Sequence, residues 1–178
     1  MSIPTLEEKM AALKVTPASP YERKCADALT RGAYEIAVQR TADILDEGYE
    51  IFMRSSRSSM GVAGDSIVAM FNASGDLVNA SAGTYLHAII PPIVIKYIIK
   101  NYSENPGIKD GDIFYTNDAL YGGIHNPDQV AITPVFFDET LVGWTAALSH
   151  TTETGAKEPG GMPVSATSRF EEGMNLPP

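Results

Sequence analysis

Two β-rich runs on either side of a short polar loop constrain the fold of this chain most strongly. Residues 129–137 and 141–148 are rich in β-branched and aromatic side chains, and Asp138, Glu139 and Thr140 lie between them. Runs of this length and composition around so short a loop predict an antiparallel β-hairpin. The other elements of the chain must therefore pack around an antiparallel sheet.

A long helix precedes the strands, and a capping box marks its start. Ser19 is the expected N-cap, a proline occupies the first helical position, and Glu22 follows three residues after the serine. Apolar residues then recur at helical spacing to about Met53, with Gly32 and Gly48 as the weak points of the pattern. The sequence therefore predicts one long N-terminal helix.

Shorter elements complete the predicted fold. The further elements are strands over residues 66–71, 77–80 and 112–115, a loop over 54–64 and a helix over 85–102. This order predicts an α+β fold, in which a long N-terminal helix is followed by a mostly antiparallel β-sheet with a packing helix.

Composition divides the chain into three parts. Residues 1–18 are expected to form a loose N-terminal arm, and residues 19–150 the α+β domain. Residues 151–178 are rich in Thr, Gly and Pro and contain no predicted helix or strand. We expect this last segment to lead into the remainder of a longer polypeptide.

Charge and motifs exclude several classes of function. Thirteen basic against 22 acidic residues give a net charge of -9, which disfavours nucleic-acid binding. The single cysteine, Cys25, cannot form an internal disulfide, which favours a reducing cytoplasm. The most apolar window, residues 86–99, is too short for a bilayer span. The sequence contains neither G-x-x-x-x-G-K-[ST] nor G-x-G-x-x-G, so it shows no known nucleotide cradle.

Two histidines and an aspartate are expected to meet at one end of the hairpin. His125 and Asp128 lie where the first strand begins, and His150 lies where the second ends. A three-residue loop over 138–140 pairs Asp128 with His150, whereas a two-residue loop pairs it with Ser149. Either register brings His125, Asp128 and His150 to the same open end.

These residue types suit a divalent metal. Neutral imidazoles and carboxylates are ligands of Zn²⁺, Mn²⁺ and Fe²⁺, and Asp65, just before a predicted strand, is a candidate fourth ligand. The same spacing also permits a structural pair in which His125 hydrogen-bonds Asp128 and closes the loop. His87, at the start of an apolar helix, is more typical of a buried histidine than of a ligand.

Several motifs in order resemble those of one enzyme family. The stretch from residue 111 to residue 178 resembles the large subunits of the hydantoinase B/oxoprolinase type, and residues 65–76 and His87 also match in order. The motifs are Gly111-Asp112-Ile113-Phe114, Asn117-Asp118, Gly122-Gly123-Ile124-His125-Asn126-Pro127-Asp128, His150, Pro159-Gly160-Gly161-Met162-Pro163, and Glu172-Gly173 before Pro177-Pro178. Residues 95–99, 105–107 and 154–156 are more similar to the ketone carboxylases for acetone and acetophenone than to the lactam and hydantoin hydrolases.

The resemblance implies a metal-containing subunit of a larger complex. It assigns ligand roles for Mn or Zn to His125, Asp128, His150 and, less directly, Asp65. We expect substrate binding at the residues His87, Asn117 and Asp118.

The resemblance also implies a cytoplasmic carboxylase complex that uses ATP. A hydantoinase A-like partner subunit binds ATP and Mg, and the complex joins a small ketone to bicarbonate. The isolated chain is then inactive. Two alternatives remain: ATP-dependent hydrolysis of a cyclic amide through a metal-bound water, and a non-catalytic assembly module of such a complex.

Overall fold

A five-stranded antiparallel sheet forms the centre of the fold. The computed structural model describes residues 2–178, and its strands are β1 (Ser66–Asn72), β2 (Leu77–Ala80), β3 (Phe114–Thr116), β4 (Asp128–Phe137) and β5 (Thr140–His150). Their order in the sheet is β2-β1-β5-β4-β3, and every neighbouring pair is antiparallel. The predicted α+β class and the predicted hairpin of β4 and β5 are confirmed.

The β4–β5 turn differs from the predicted three-residue loop. Only Asp138 and Glu139 connect the strands, and both have positive φ angles, 45° and 61°. Positive φ at both central residues is the geometry of a two-residue hairpin turn whose twist matches its strands. An irregularity then leaves Val142 without a partner in β4, and this bulge restores the pairing of Asp128 with His150.

The predicted long N-terminal helix is present but is divided at Gly32, one of the weak points of its pattern, into two helices. These are α2 (Pro20–Asp27) and α3 (Ala33–Ser55). The predicted capping box of Ser19 and Glu22 is present at the start of α2. Gly32 precedes α3 with φ 84°, a left-handed conformation that a continuous helix cannot contain, whereas Gly48 lies inside α3.

The second predicted helix is also divided. It forms α5 (Leu86–Ile89) and α6 (Pro91–Tyr102), and Pro91 and Pro92 occupy the first turn of α6. The predicted loop over residues 54–64 contains a short helix, α4 (Ser59–Val62). Across residues 2–178, every helix is too short or too polar to cross a membrane.

Alternate strand residues form a core against α6. The buried side chains of β1 and β5 recur at every second position, as expected for strands with one face on a helix, and Trp144 is 0% exposed. The core residues from these elements are Ile67, Ala69, Phe71, Val94, Ile95, Ile98, Trp144, Ala146 and Leu148. The core fixes the ends of β1, β4 and β5 relative to one another.

The N-terminal arm is held to the domain, contrary to the expected loose arm. Residues Leu6–Ala12 form α1. Lys96 of α6 donates from Nζ to Asp76 Oδ1 at 2.6 Å and to the carbonyl oxygens of Ala12 and Lys14 at 2.9 and 2.8 Å. The backbone of Thr16 donates to Asp76 Oδ2 at 3.0 Å. One buried ion pair therefore connects the arm, α6 and the β1–β2 turn.

The pKa of Asp76 is shifted by this environment. Burial raises it, but the hydrogen bonds from Lys96 and Thr16 together bring it below the ordinary aspartate value. A lowered folded-state pKa means that the stabilisation is complete above the ordinary value and is lost as the pH falls through the folded-state pKa.

Replacing Lys96 by methionine is expected to lower the free energy of unfolding at pH 7 by roughly 3 kcal/mol, because Asp76 loses its charged partner in a buried position. Urea unfolding of the 178-residue chain measures this. The matched control is Lys100→Met on the same helix, which removes an exposed ion pair with Glu8 and is expected to cost less than about 1 kcal/mol. Equal losses in the two variants would contradict the proposed connection.

Candidate metal centre

Five ionisable side chains meet where the core face of the sheet ends. Asp128 is the first residue of β4, and His150, opposite it, is the last residue of β5. Asp65 precedes β1, and its carbonyl oxygen accepts a hydrogen bond from the His150 backbone at 2.9 Å. His125 lies on the loop before β4, and His87 lies on α5. The antiparallel topology thus brings residues up to 85 positions apart in sequence to one edge.

His125, Asp128 and His150 form the centre of this cluster. Asp128 Oδ2 lies 2.7 Å from His125 Nδ1, and Asp128 Oδ1 lies 3.0 Å from His150 Nδ1. The two imidazole rings are 5.1 Å apart at an interplanar angle of 83°. One donor atom from each residue lies within 4.8 Å of the other two. The predicted juxtaposition is therefore confirmed, and the role of these atoms as ligands is a proposal.

The contact between His125 and Asp128 is short without being a hydrogen bond. Although the two atoms are 2.7 Å apart, His125 Nδ1 has no aligned hydrogen-bond partner among residues 2–178. The backbone makes the pairing that closes the loop: the His125 backbone nitrogen donates to Asp128 Oδ2 at 3.3 Å, and the His125 carbonyl oxygen accepts from the Asp128 backbone at 3.0 Å, which leaves the imidazole ring unpaired. Two donor atoms brought together without a proton aligned between them suit ligands that share an ion.

His87 and Asp65 lie beside this centre. His87 Nε2 is 3.5 Å from Asp65 Oδ1 and 3.7 Å from Asp128 Oδ1, and Asp65 Oδ2 is 3.7 Å from His150 Nδ1. Burial lowers the pKa of His87 more than the carboxylates of Asp128 and Asp65 raise it. A neutral imidazole is the form that binds metals, so His87 has the chemistry of a ligand as well as of the predicted substrate contact.

Asn117 and Asp118 are the other predicted substrate contacts. In this structure their side chains make hydrogen bonds to other residues of the chain. Asn117 is 0% exposed and donates to the carbonyl oxygens of Asn126 and Met174 at 2.9 and 2.7 Å. Asp118 accepts from Arg169 at 2.7 Å. These bonds attach residues 169–176 to the loop that carries His125. Asn117 and Asp118 therefore help to position the His125–Asp128–His150 cluster in this structure.

The donor set fits a divalent transition metal. The cluster offers imidazole nitrogen and carboxylate oxygen, which suit Zn²⁺, Mn²⁺ and Fe²⁺. Asp128 is 1% and His150 is 7% exposed at the side chain, and the buried Nδ1 of His125, 2.7 Å from Asp128 Oδ2, has no aligned hydrogen-bond partner among residues 2–178. Buried donors without partners are costly unless they bind something, so the residues present fit a metal ion.

Comparison with known families identifies the class of protein. Residues 32–178 match the family described as Hydantoinase B/oxoprolinase. This range is most of the chain and contains all five residues of the cluster. The chain belongs to this family, as its motifs predicted.

Individual relatives include ketone carboxylases and a lactamase. The chain is 61% identical over all 178 residues to the acetophenone carboxylase delta subunit of Aromatoleum aromaticum, and it spans 26% of that subunit. The nucleotide-free structure of acetone carboxylase matches 81% of this chain at a TM-score of 0.77 and 32% identity, over 19% of its own chain. The ATP-dependent caprolactamase of Pseudomonas jessenii matches 84% at a TM-score of 0.68 and 25% identity, over 26% of its chain. The chain thus spans about a quarter or less of the length of these relatives.

Proposed function

We propose that this chain supplies the metal centre of an ATP-dependent ketone carboxylase subunit that joins an aromatic ketone to bicarbonate or CO2. The observation that carries the proposal is the His125–Asp128–His150 cluster, in a chain 61% identical along its whole length to an acetophenone carboxylase subunit. The reaction class is a carbon–carbon ligation, in which the carbon next to the ketone carbonyl attacks activated CO2.

The chain contributes a partly buried site for this reaction, whose backbone is held by hydrogen bonds. His125, Asp128 and His150 hold the ion, which supplies Lewis-acid stabilisation of an enolate oxygen when bound. Ser58 donates to the His150 carbonyl oxygen at 2.7 Å, and the backbone of Thr151 donates to the Pro127 carbonyl oxygen at 2.9 Å. These bonds fix the backbone on both sides of the cluster, so the donor atoms are preorganised for one ion.

ATP use belongs to a partner in this proposal. The sequence has no nucleotide cradle, whereas acetone carboxylation and the related caprolactamase are ATP-dependent. We therefore assign ATP and Mg to a hydantoinase A-like subunit, within a hetero-oligomer of the cytoplasm. Ketone and bicarbonate then meet at the metal centre in this subunit, where the ATP-dependent ligation is completed.

Cyclic-amide hydrolysis is the second candidate function. It is favoured by the fold shared with caprolactamase, and it would use the same ligands, with a bound ion activating water for attack on the amide. A third possibility, an assembly module without chemistry, requires a cluster that holds no metal.

ATP turnover by the assembled complex distinguishes these functions. We expect acetophenone with bicarbonate to raise the rate of ATP hydrolysis at least about tenfold, because ATP is consumed to activate these substrates. Caprolactam and 5-oxoproline are expected to leave the basal rate unchanged. Stimulation by a cyclic amide alone would assign hydrolysis, and stimulated turnover by a complex that holds no metal at this subunit would assign the assembly role.

A further inference from the structure

A cavity of about 230 Å³ lies beside the exposed side of the metal centre. His125 is 43% exposed at the side chain, whereas Asp128 and His150 are buried, so the cluster faces outward through this imidazole. The residues around the cavity are His125, Asn126, Pro127, Gly161, Met162, Pro163 and Glu172. A molecule in the cavity therefore contacts the accessible member of the cluster.

Part of the cavity wall is apolar and held in place. Pro127, Met162 and Pro163 contribute hydrocarbon surface, and Gly161 lies so close that a Cβ there would meet Pro127 Cγ at 3.0 Å. Glu153 fixes the loop before this wall, because its carboxylate accepts from the backbone nitrogens of Thr154, Gly155, Ala156 and Gly160. The shape of the cavity is thus largely preformed, as is usual for small-molecule sites.

Glu172 differs from the other glutamates of its segment. Glu153, Glu158 and Glu171 all use their carboxylates to hold the loops of residues 151–178 together. Glu172 is an exposed residue that lines the cavity, and its carboxylate makes no hydrogen bond or ion pair within residues 2–178. A carboxylate that is not used for structure, at a cavity beside a metal centre, is available for chemistry.

We propose that this cavity binds the uncharged ketone and that Glu172 is the base that forms its enolate. The inference rests on the proposed carboxylase function and names the residue that generates the nucleophile. The Glu172 carboxylate takes a proton from the carbon next to the carbonyl. The C–H electron pair becomes the carbon–carbon double bond, and the carbonyl π pair moves to oxygen. The apolar wall accommodates the aromatic body, and the negative charge of Glu172 disfavours an anion such as bicarbonate in the same cavity.

Deuterium uptake into acetophenone tests this step without carboxylation. The assembled complex is incubated with acetophenone and ATP in D2O without bicarbonate, and methyl deuteration is followed by NMR. Glu172→Gln is expected to slow uptake about 100-fold or more, the usual contribution of a general base, while Glu172→Asp retains part of the rate. Glu104→Gln, at an exposed glutamate two residues after the end of α6, is the matched control and is expected to match the wild type.

Metal content and acetophenone affinity are measured on the same samples. Both are expected to be unchanged in Glu172→Gln, because the substitution keeps the size of the side chain and removes only its charge. Uptake within threefold of the wild type in Glu172→Gln would overturn the proposal, as would a metal-loaded wild-type complex that takes up no deuterium. A wild-type complex without metal would instead contradict the proposed function, so the two failures are distinguishable.

Discussion

Replacing His125 by alanine is expected to remove the bound metal and to reduce carboxylation to the background rate, while the fold is retained. Two ligands remain after the substitution, and they cannot hold an ion firmly without the third. The imidazole is half-exposed on a loop, so its loss removes little from the core. Elemental analysis of the assembled complex measures the metal, and circular dichroism measures the fold.

A neighbouring residue provides the control for this substitution. Ile124→Ala changes the same loop by a side chain without a ligand atom, and it is expected to keep the metal. If His125→Ala keeps its metal and instead loses stability, His125 is a structural partner of Asp128 and the proposed ligand set is wrong.

Replacing Asn117 by alanine is expected to lower the free energy of unfolding by about 3 kcal/mol or more, because buried backbone groups lose their hydrogen-bond partners. The groups affected are the carbonyl oxygen of Asn126 and the backbone nitrogen of Leu176, which donates to Asn117 Oδ1 at 2.8 Å. Since Asn126 follows His125 directly, we also expect metal affinity to fall about 10- to 100-fold, as for other residues that orient metal ligands.

Urea unfolding and metal titration measure the two effects of Asn117→Ala. Asn101→Ala is the matched control, because the Asn101 amide donates to Tyr97 within α6 and has no contact with the loop of the cluster. We expect the control to change stability by less than about 1 kcal/mol and to leave metal affinity unchanged. A destabilised Asn117→Ala with wild-type metal affinity would limit the residue to a structural role.

The sheet could be predicted because its strands carry local signals. The β-rich runs around residues 138–140 identified the hairpin, and the antiparallel pairing then brought His125, Asp128 and His150 together. The two-residue turn was not predictable, because Asp138 and Glu139 lack the glycine that usually marks positive φ in such turns. No sequence feature marks the bulge in β5, although this bulge is the reason that Asp128 pairs with His150.

Other parts of the site depend on contacts between distant segments. His87 joins the cluster because α5 packs at the end of the sheet; its apolar surroundings in the sequence do not indicate this, and only the family resemblance singled the residue out. Asn117 contacts residues almost 60 positions away, and Lys96 binds the arm through carbonyl oxygens of Ala12 and Lys14. Bonds from side chains to distant backbone leave no periodicity that a sequence can reveal.

The metal content of the assembled complex, purified without added metal and without chelator, tests the central claim most directly. The account predicts a single Mn or Zn ion for each copy of this subunit, lost together with activity when His125, Asp128 or His150 is replaced. A fully active complex that contains no transition metal at this subunit would contradict it.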